Sequence, residues 1–102
     1  MILAKVIGTV WGAKQSPTLQ GRRIVCVRPV SLRGVKKGQR VKSDIEERHL
    51  MHSSILAVDP LGADIGQLVL VSIGSRVRDL VTDPKVPTKH CVVAIVDEAI
   101  IE

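Results

Sequence analysis

The sequence predicts an all-β fold, a closed or nearly closed small barrel of five strands in a single domain, residues 1–102. Short runs rich in β-branched residues recur along the chain, and loops containing glycine and proline separate them. Only one segment has even a weak helical character, whereas an α/β fold needs helix-length periodic segments between its strands. The predicted strands span residues 2–11, 23–28, 54–59, 67–73 and 91–96.

Glycine and proline mark the bends and ends of these strands. Gly8 stands inside the first strand and predicts a β-bulge or a sharp bend of the kind that small barrels use at corners. Residues 12–22 have the composition of a loop. Pro29 is expected to end the second strand, because proline has no N–H to donate to a ladder. A single turn of helix could fit at residues 77–81.

A basic segment between the second and third strands departs from this pattern. Its run of lysines and arginines, residues 36–42, is predicted to be an exposed loop, with binding to acidic partners or nucleic acid as the alternative. Ser43 followed by Glu46 is a capping-box signature. It predicts a short helix at about residues 44–52, which is polar and marginal by itself.

The core is predicted to be aliphatic, because the chain has one Trp, Trp11, and no Phe or Tyr. A domain of this size buries only about two-thirds of its unfolded surface, so a core this thin favours additional burial through self-association. Lys and Arg outnumber Asp and Glu by 15 to 10, and the net charge of +5 permits nucleic acid, an anionic membrane or acidic partners. Proteins that bind single strands stack bases on aromatic side chains, so the composition argues against nucleic acid.

The two cysteines, Cys26 and Cys91, lie inside apolar runs, which predicts buried free thiols in a reducing compartment. A disulfide between neighbouring strands is the alternative. Lys5 interrupts the short apolar start of the chain, so no signal peptide is predicted. No apolar run approaches the roughly 20 residues of a membrane helix. The protein is therefore expected to be cytosolic, with no membrane partner.

Residues 62–80 contain two glycines four apart and a later Gly-Ser, a pattern shared by phosphate-binding loops and barrel turns. A phosphate-binding loop needs a helix N-terminus directly after it, so that backbone amides point at the anion. The residues after Gly66 are Leu-Val-Leu-Val, which predict a strand instead. Gly62 and Gly66 are therefore interpreted as turn residues that supply positive φ.

Five pieces of the sequence form an ordered series that covers most of the chain except about residues 35–53. They are Leu3 to Val10; Leu19, Gly21, Ile24, Val25, Val27 and Pro29; Asp59, Leu61, Gly62, Ala63 and Gly66; Val69, Leu70, Val71, Gly74, Ser75 and Arg78; and Val92, Val93, Ile95, Val96 and Asp97. The series resembles the EutN/CcmL family, the vertex proteins of bacterial microcompartment shells.

This resemblance implies a small OB-like β-barrel, of the oligonucleotide/oligosaccharide-binding type. The short helix predicted above would then lie in an inserted loop. It also implies a homopentamer that caps the vertices of a polyhedral shell whose facets are hexameric proteins of a different fold. A head-to-tail contact that turns each copy by one-fifth of a circle closes after five copies. The implied function is structural and not enzymatic, and no cofactor is implied.

The sequence also departs from the family's pattern at several positions. It has Asp64 where the family usually has Gly, Gln67 where Glu is frequent, Arg76 and Val77 where a second Ser and an Ala are usual, Ala94 in place of a Gly, and Lys89-His90 in place of a more acidic, apolar pair. The largest departure is the basic segment, which is longer than the family normally carries. It could reach a neighbouring subunit, a shell hexamer or cargo.

Candidate assembly residues come from the first and last strands and from the loop at residue 74. The candidates for the subunit interface are Leu3, Lys5, Ile7, Arg78, Val92, Ala94 and Val96. The candidates for the central opening are Gly74, Ser75 and Arg76. Glycine and serine permit close approach at a five-fold axis, and arginine copies there would favour anions. Arg78 is expected to pair with a carboxylate across the interface, whereas Arg76 fits either place.

No catalytic or metal site is predicted. His49 and His52, three residues apart, can share one face of a helix turn, and with His90 and Cys91 they are the only residues that could form a metal cluster. Zinc requires a fuller ligand set and a recognised spacing, so a solvated face is the prediction. The carboxylates stand at strand ends, turns and a helix start, where they serve local hydrogen bonds. The alternative function is a small basic OB-like module that binds nucleic acid.

Overall fold

The computed structural model describes residues 1–10, 23–32, 36, 38–73 and 90–100. Within them lie seven strands and one turn of 3-10 helix, and no helix there is long and apolar enough to span a membrane. The strands are β1 (Ile2–Val10), β2 (Ile24–Pro29), β3 (Arg40–Lys42), β4 (Ile55–Val58), β5 (Leu68–Ile73), β6 (His90–Val96) and β7 (Glu98–Ile100), and the 3-10 turn is Glu47–His49.

Five of these strands close into a barrel in the order β1-β2-β4-β6-β5. Neighbouring strands are antiparallel except for β4 and β6, which are parallel, so the barrel is mixed. The predicted all-β fold and its five-stranded OB-like barrel are confirmed, and the strand bounds agree to within about two residues. The sequence did not predict β3 and β7, which pair antiparallel as a separate two-stranded sheet.

The core lies inside the barrel and is aliphatic, as the composition predicts. Along β1, Ala4 and Val6 are fully buried, while Leu3, Lys5 and Ile7 alternate with them and face outward. The core cluster consists of Ala4, Val6, Val25, Val27, Ala57, Ala63, Val69, Val71 and Val92. Because its largest members are valines, each subunit gains little burial from its own core, which leaves room for stabilisation by assembly.

Two β-bulges bend the barrel strands. The register between β1 and β2 shifts between Val6 and Gly8, so the bulge predicted at Gly8 is confirmed. A second shift lies between β5 and β6, where Leu70 pairs with Ala94 but Val71 pairs with Val92. The sequence carries no glycine or proline signal for this second bulge.

Residues 59–67 form the connection from β4 to β5, and two of its glycines supply positive φ, as predicted. Gly62 and Gly66 have φ values of +80° and +96°, in the left-handed region that glycine tolerates best. The Gly66 N–H donates to the Val6 carbonyl at 2.7 Å, which ties the end of the turn to β1. Strand β5 follows directly, and residues 59–68 contain no helix, so the geometry of a phosphate loop is absent from them.

Replacing Gly66 with alanine is expected to lower the free energy of unfolding by about 1–2 kcal/mol, the cost of left-handed backbone in an L-residue. A Cβ at this position would meet no atom within 4 Å, so the loss comes from the backbone alone. Gly8→Ala is the matched control, because a Cβ there is equally unobstructed and φ is not left-handed. Urea unfolding of both variants checks this, and equal stabilities would contradict it.

The inserted helix is present but shorter than predicted. In place of a helix at 44–52 there is a single 3-10 turn, and the residue before it, Glu46, has extended backbone and no capping hydrogen bond from its side chain. After the turn the chain is extended and pairs with the end of β2. Leu50 forms an isolated β-bridge with Val30, and the Met51 N–H donates to the Pro29 carbonyl. These contacts prevail over a weak local preference for helix. The helical turn considered at 77–81 lies outside the described residues.

Candidate functional site

The predicted interface residues of β1 and β6 share one outer face of the barrel. Strand β5 lies between the two, and its outward residue Leu70 pairs with Leu3 on one side and with Ala94 on the other. The next row joins Lys5, Leu68 and Val96 in the same way. The side chains of Leu3, Lys5, Ala94 and Val96 are half-buried and Ile7 is exposed. Leu3, Lys5, Ala94 and Val96 are thus brought together on three neighbouring strands. The β5 residue between Lys5 and Val96, Leu68, is fully buried.

Val92 is the exception in this set. Its side chain is fully buried in the barrel core, opposite Val71. Simple alternation places Val92 and Ala94 on the same face, but the second bulge inserts Val93 and turns them to opposite faces. Val92 therefore supports the barrel from inside and has no exposed side chain to offer a neighbour.

The remaining assembly candidates lie outside the described residues. These are Arg78 for the interface and Gly74, Ser75 and Arg76 for the central opening. Lys89 and Val77, two of the departures from the family pattern, lie outside them as well. The proposed roles of these residues therefore remain sequence-based predictions.

The turn after β4 is held by the buried carboxylate of Asp59. Its Oδ1 accepts hydrogen bonds from the N–H groups of Leu61 at 3.0 Å and Gly62 at 3.1 Å, and its Oδ2 accepts from Ala63 at 2.7 Å. The local hydrogen bonding predicted for Asp59 is confirmed.

Arg23 completes this cluster from the start of β2. Its Nη2 donates to the Ala63 carbonyl at 2.6 Å, and its Nε lies 3.7 Å from Asp59 Oδ2. The Asp59 N–H in turn donates to the Arg23 carbonyl at 2.8 Å. Sequence reasoning missed Arg23, because the two residues are far apart along the chain and only the β2–β4 pairing brings them together.

Both cysteines are free thiols, as predicted. Cys91 is buried, whereas Cys26 is only half-buried on the outer side of β2. Burial raises the pKa of the Cys91 thiol, and the negative charge of Asp59 raises it further. Cys91 is therefore held in its neutral form, which suits packing and not nucleophilic chemistry.

The inserted segment is fastened to the barrel by Arg28 of β2. Its Nε donates to the Met51 carbonyl at 2.8 Å, and its guanidinium pairs with the Glu47 carboxylate. The Ser31 N–H donates to the His49 carbonyl at 2.7 Å, which adds a backbone attachment. The Arg28 side chain is only 15% exposed, so it covers part of the junction between the barrel and the segment.

Arg28→Ala is expected to lower the free energy of unfolding by about 1–2 kcal/mol and to loosen the inserted segment, because a charge-assisted hydrogen bond and its packing are lost. Urea unfolding gives the first quantity, and the rate of tryptic cleavage after Arg48 reports the second. Glu47→Gln is the control: Glu47 is 76% exposed, so its loss should cost less than about 0.5 kcal/mol. Unchanged cleavage in Arg28→Ala would contradict the role of Arg28.

A surface cleft of about 220 Å³ lies beside β3 in the inserted segment. It is lined by Gln39, Arg40, Val41, Lys42, Asp44, Ile45, Glu46, Arg48 and His49. Two ion pairs stand near it, Arg48 with Glu46 at 2.7 Å and Arg40 with Glu98 of β7 at 3.9 Å. The predicted exposure of the basic run is confirmed for its described members, although Arg40 and Lys42 belong to a strand and not to a loop.

The histidines do not converge on a metal site in the part of the chain that the structure describes. His49 ends the 3-10 turn, His52 follows it, and His90 begins β6. No group of three or more His, Cys, Asp or Glu side chains among the described residues is placed to hold a metal ion.

These features define a class of protein. The described polar clusters brace a turn and fasten an insert, and the outer face of β1, β5 and β6 carries the half-buried side chains of Leu3, Leu70 and Ala94 in one row. This arrangement is typical of a structural subunit that assembles through its strands. The sequence model described as "Ethanolamine utilisation protein EutN/carboxysome" matches residues 1–97, and the chain belongs to this EutN/CcmL family.

Individual relatives agree with this assignment. The chain is 36% identical over 97 residues to the bacterial microcompartment shell vertex protein PduN of Salmonella typhimurium. The match covers 95% of this chain and 96% of PduN. The structure of CcmL from Nostoc sp. matches with a TM-score of 0.75 at 30% identity, covering 94% of this chain and 86% of CcmL. The pentameric microcompartment shell protein GrpN of Rhodospirillum rubrum matches with a TM-score of 0.72 at 28% identity, covering 100% and 98%.

The family resemblance predicted from the five sequence pieces is therefore confirmed. Of the two functions considered from the sequence, family membership supports the structural one, because the EutN/CcmL family is one of structural, non-enzymatic shell vertex proteins.

Proposed function

We propose that this protein forms the five-fold vertices of a polyhedral microcompartment shell in the bacterial cytoplasm, as a homopentamer that contacts hexameric shell proteins around its rim. The observation that carries the proposal is similarity over nearly the whole chain to PduN, a shell vertex protein, and to GrpN, a pentameric shell protein. The role requires no catalysis, because its mechanism is geometric: the ring closes the shell where flat facets meet.

The outer face formed by β1, β5 and β6 supports the proposal with a surface suited to subunit contact. The row Leu3–Leu70–Ala94 is apolar and half-buried, and the row beside it ends in Lys5 and Val96. A subunit whose core is built mainly from valine and alanine gains stability when such a face is covered by a neighbour. We assign this face, together with Ile7 and Arg78, to the subunit interface, and Gly74–Arg76 to the central opening.

Light scattering of the purified protein tests the pentamer. The expected mass is about 55 kDa, five times the 11.1 kDa of one chain. Co-expression with hexameric shell proteins tests the vertex role, because closed polyhedral shells should form only when this chain is present. A monomer at all concentrations, together with shells that close equally well without it, would overturn the proposal.

A further inference from the structure

A ring of five identical subunits needs two different contact surfaces on every subunit. Each subunit touches one neighbour with one surface and its other neighbour with the second, whereas a self-complementary surface pairs two copies and adds no more. The two neighbours of a subunit lie about 108° apart as seen from it, so the two surfaces lie on different sides of the subunit. The first face, which is the outer side of β1, β5 and β6 with Leu3, Leu70 and Ala94, is one of them. The other is a different part of the molecule.

Strands β2 and β4, which do not belong to the first face, carry an exposed apolar row on the outside of the barrel. Gly8 of β1 pairs with Cys26 of β2, and Cys26 pairs with Leu56 of β4, so the three residues share one side of the sheet. Leu56 is 54% exposed although it lies inside a paired strand, and Cys26 is half-buried. A Cβ at Gly8 would meet no atom within 4 Å, so the space above the row is open to a side chain from another molecule.

Residues beside this row extend the apolar surface along β1 and β2. Ile7, at the β1 bulge, is 41% exposed. Val10 and Ile24, which pair with each other two residues further along, are half-buried. Val58 continues their row into β4 but is only 4% exposed, so the surface ends before it. The second face is defined as this surface, which consists of Ile7, Gly8, Val10, Ile24, Cys26 and Leu56.

The bulge in β1 separates the second face from the first. Before the bulge, Ile2–Lys5 pairs with β5 and contributes to the first face. After the bulge, Gly8–Val10 pairs with β2 and, among the described residues, with no other strand. One half of β1 therefore belongs to each face, and the two faces point in different directions from the same barrel.

The second face is apolar at its centre and charged at its border. Arg28, two residues beyond Cys26 on the same side of β2, is paired with Glu47. Arg23, just before the start of β2, is engaged by the buried Asp59 carboxylate. An apolar centre with a polar rim is typical of permanent contacts between copies of one chain. The apolar row of the first face has the matching character.

We propose that the second face is the other half of the subunit contact. It packs against the first face of the neighbouring copy, so that one contact, repeated around the axis, closes the ring of five. The inference rests on the proposed pentamer and deepens it, because it names the surface with which each subunit receives its second neighbour.

Leu56→Asp is expected to separate the ring into subunits of 11.1 kDa, because the contact would bury an unpaired carboxylate. Leu61→Asp is the matched control: Leu61 is 51% exposed in the connection from β4 to β5, outside the second face, and its variant should keep the mass of five chains. Light scattering measures the masses, and circular dichroism establishes that each variant is folded. An unmodified protein that is not a pentamer would sink the proposed function, whereas a pentamer that persists in Leu56→Asp would overturn this inference alone.

Mixing variants tests whether the two faces meet each other. Ala94→Asp damages the first face and Leu56→Asp the second, so the two proteins together retain one intact contact and should form a pair of about 22 kDa, twice the mass of one chain. Ala94→Asp mixed with Leu3→Asp has no intact first face and should stay at 11.1 kDa. If Ala94→Asp and Leu56→Asp also stayed apart at concentrations up to about 1 mM, the faces would not be partners.

The thiol of Cys26 gives a second measurement that needs no substitution in the second face. Cys26 should react with a maleimide at least about tenfold more slowly in the ring than in separated Ala94→Asp subunits, because the neighbour covers it in the ring. Cys91 is the internal reference, since it is 1% exposed and should react slowly in both states. Equal labelling of Cys26 in the two states would place the second contact elsewhere on the barrel.

Discussion

Replacing Asp59 with alanine is expected to lower the free energy of unfolding by about 3–5 kcal/mol, the usual cost of removing one partner from a buried charged cluster. Asp59 is 3% exposed, and its carboxylate accepts hydrogen bonds from three successive backbone amides. Alanine would leave these amides without an acceptor and would leave the Arg23 guanidinium without its counter-charge. Because small domains have a total stability of about 5–15 kcal/mol, this single change removes much of it.

Urea unfolding at a fixed protein concentration measures the effect, since assembly adds to apparent stability by mass action. Asp64→Ala is the matched control: Asp64 is an exposed aspartate in the same turn, and its loss should stay within about 0.5 kcal/mol. Asp59→Asn should fall between the two, because an amide keeps one acceptor oxygen. A loss of less than about 1 kcal/mol for Asp59→Ala would show that the turn is held by other contacts.

The barrel could be predicted from the sequence because its signals are local. Each barrel strand is a mainly apolar run that contains β-branched residues, and Gly62 and Gly66 mark the loop that follows β4. Gly8 is another local signal, because a glycine inside a strand indicates a bulge, and the first bulge lies there. Asp59 was predictable as a turn residue because its three acceptor bonds reach only two to four residues along the chain.

The β3–β7 sheet could not be predicted in this way. Both strands are three residues long, and β7 begins 56 positions after the end of β3. Runs this short have no usable periodicity, and their pairing depends on where the barrel places the two segments. The inserted helix is shorter than predicted for a related reason. The backbone contacts to Pro29, Val30 and Ser31 are long-range and prevail over the capping signature at Ser43.

The candidate interface residues show the same contrast between local signals and contacts that depend on strand pairing. Leu3, Lys5 and Ile7 alternate onto the outside of β1, because no bulge intervenes before Ile7. Val92 lies inside the barrel, because the register shift beside Val71 reverses the faces of β6. The useful outcome is that Ala94 and not Val92 lies in the outer row with Leu3, so Ala94 is the position at which a charge tests assembly.

Ala94→Asp is expected to break the ring into subunits of 11.1 kDa while leaving the barrel folded. Ala94 is half-buried on the outer face beside Leu70, so in a separate subunit the new carboxylate can reach water. At the proposed interface the carboxylate would be covered by a neighbouring subunit and left without a partner, at a cost of several kcal/mol for each contact. The ring repeats that contact at every subunit, so the penalty multiplies around it.

Light scattering of the Ala94→Asp protein measures the mass, and circular dichroism with urea unfolding establishes that the subunit keeps its fold. Ala94→Ser separates the effect of the added charge from that of the added size. Serine adds one neutral oxygen and should leave the ring intact. If Ala94→Asp kept the mass of five chains, Ala94 would not lie at the contact, and the interface would have to be sought on another face of the barrel. If both variants dissociated, the contact would depend on close packing at Ala94, with the charge contributing nothing specific.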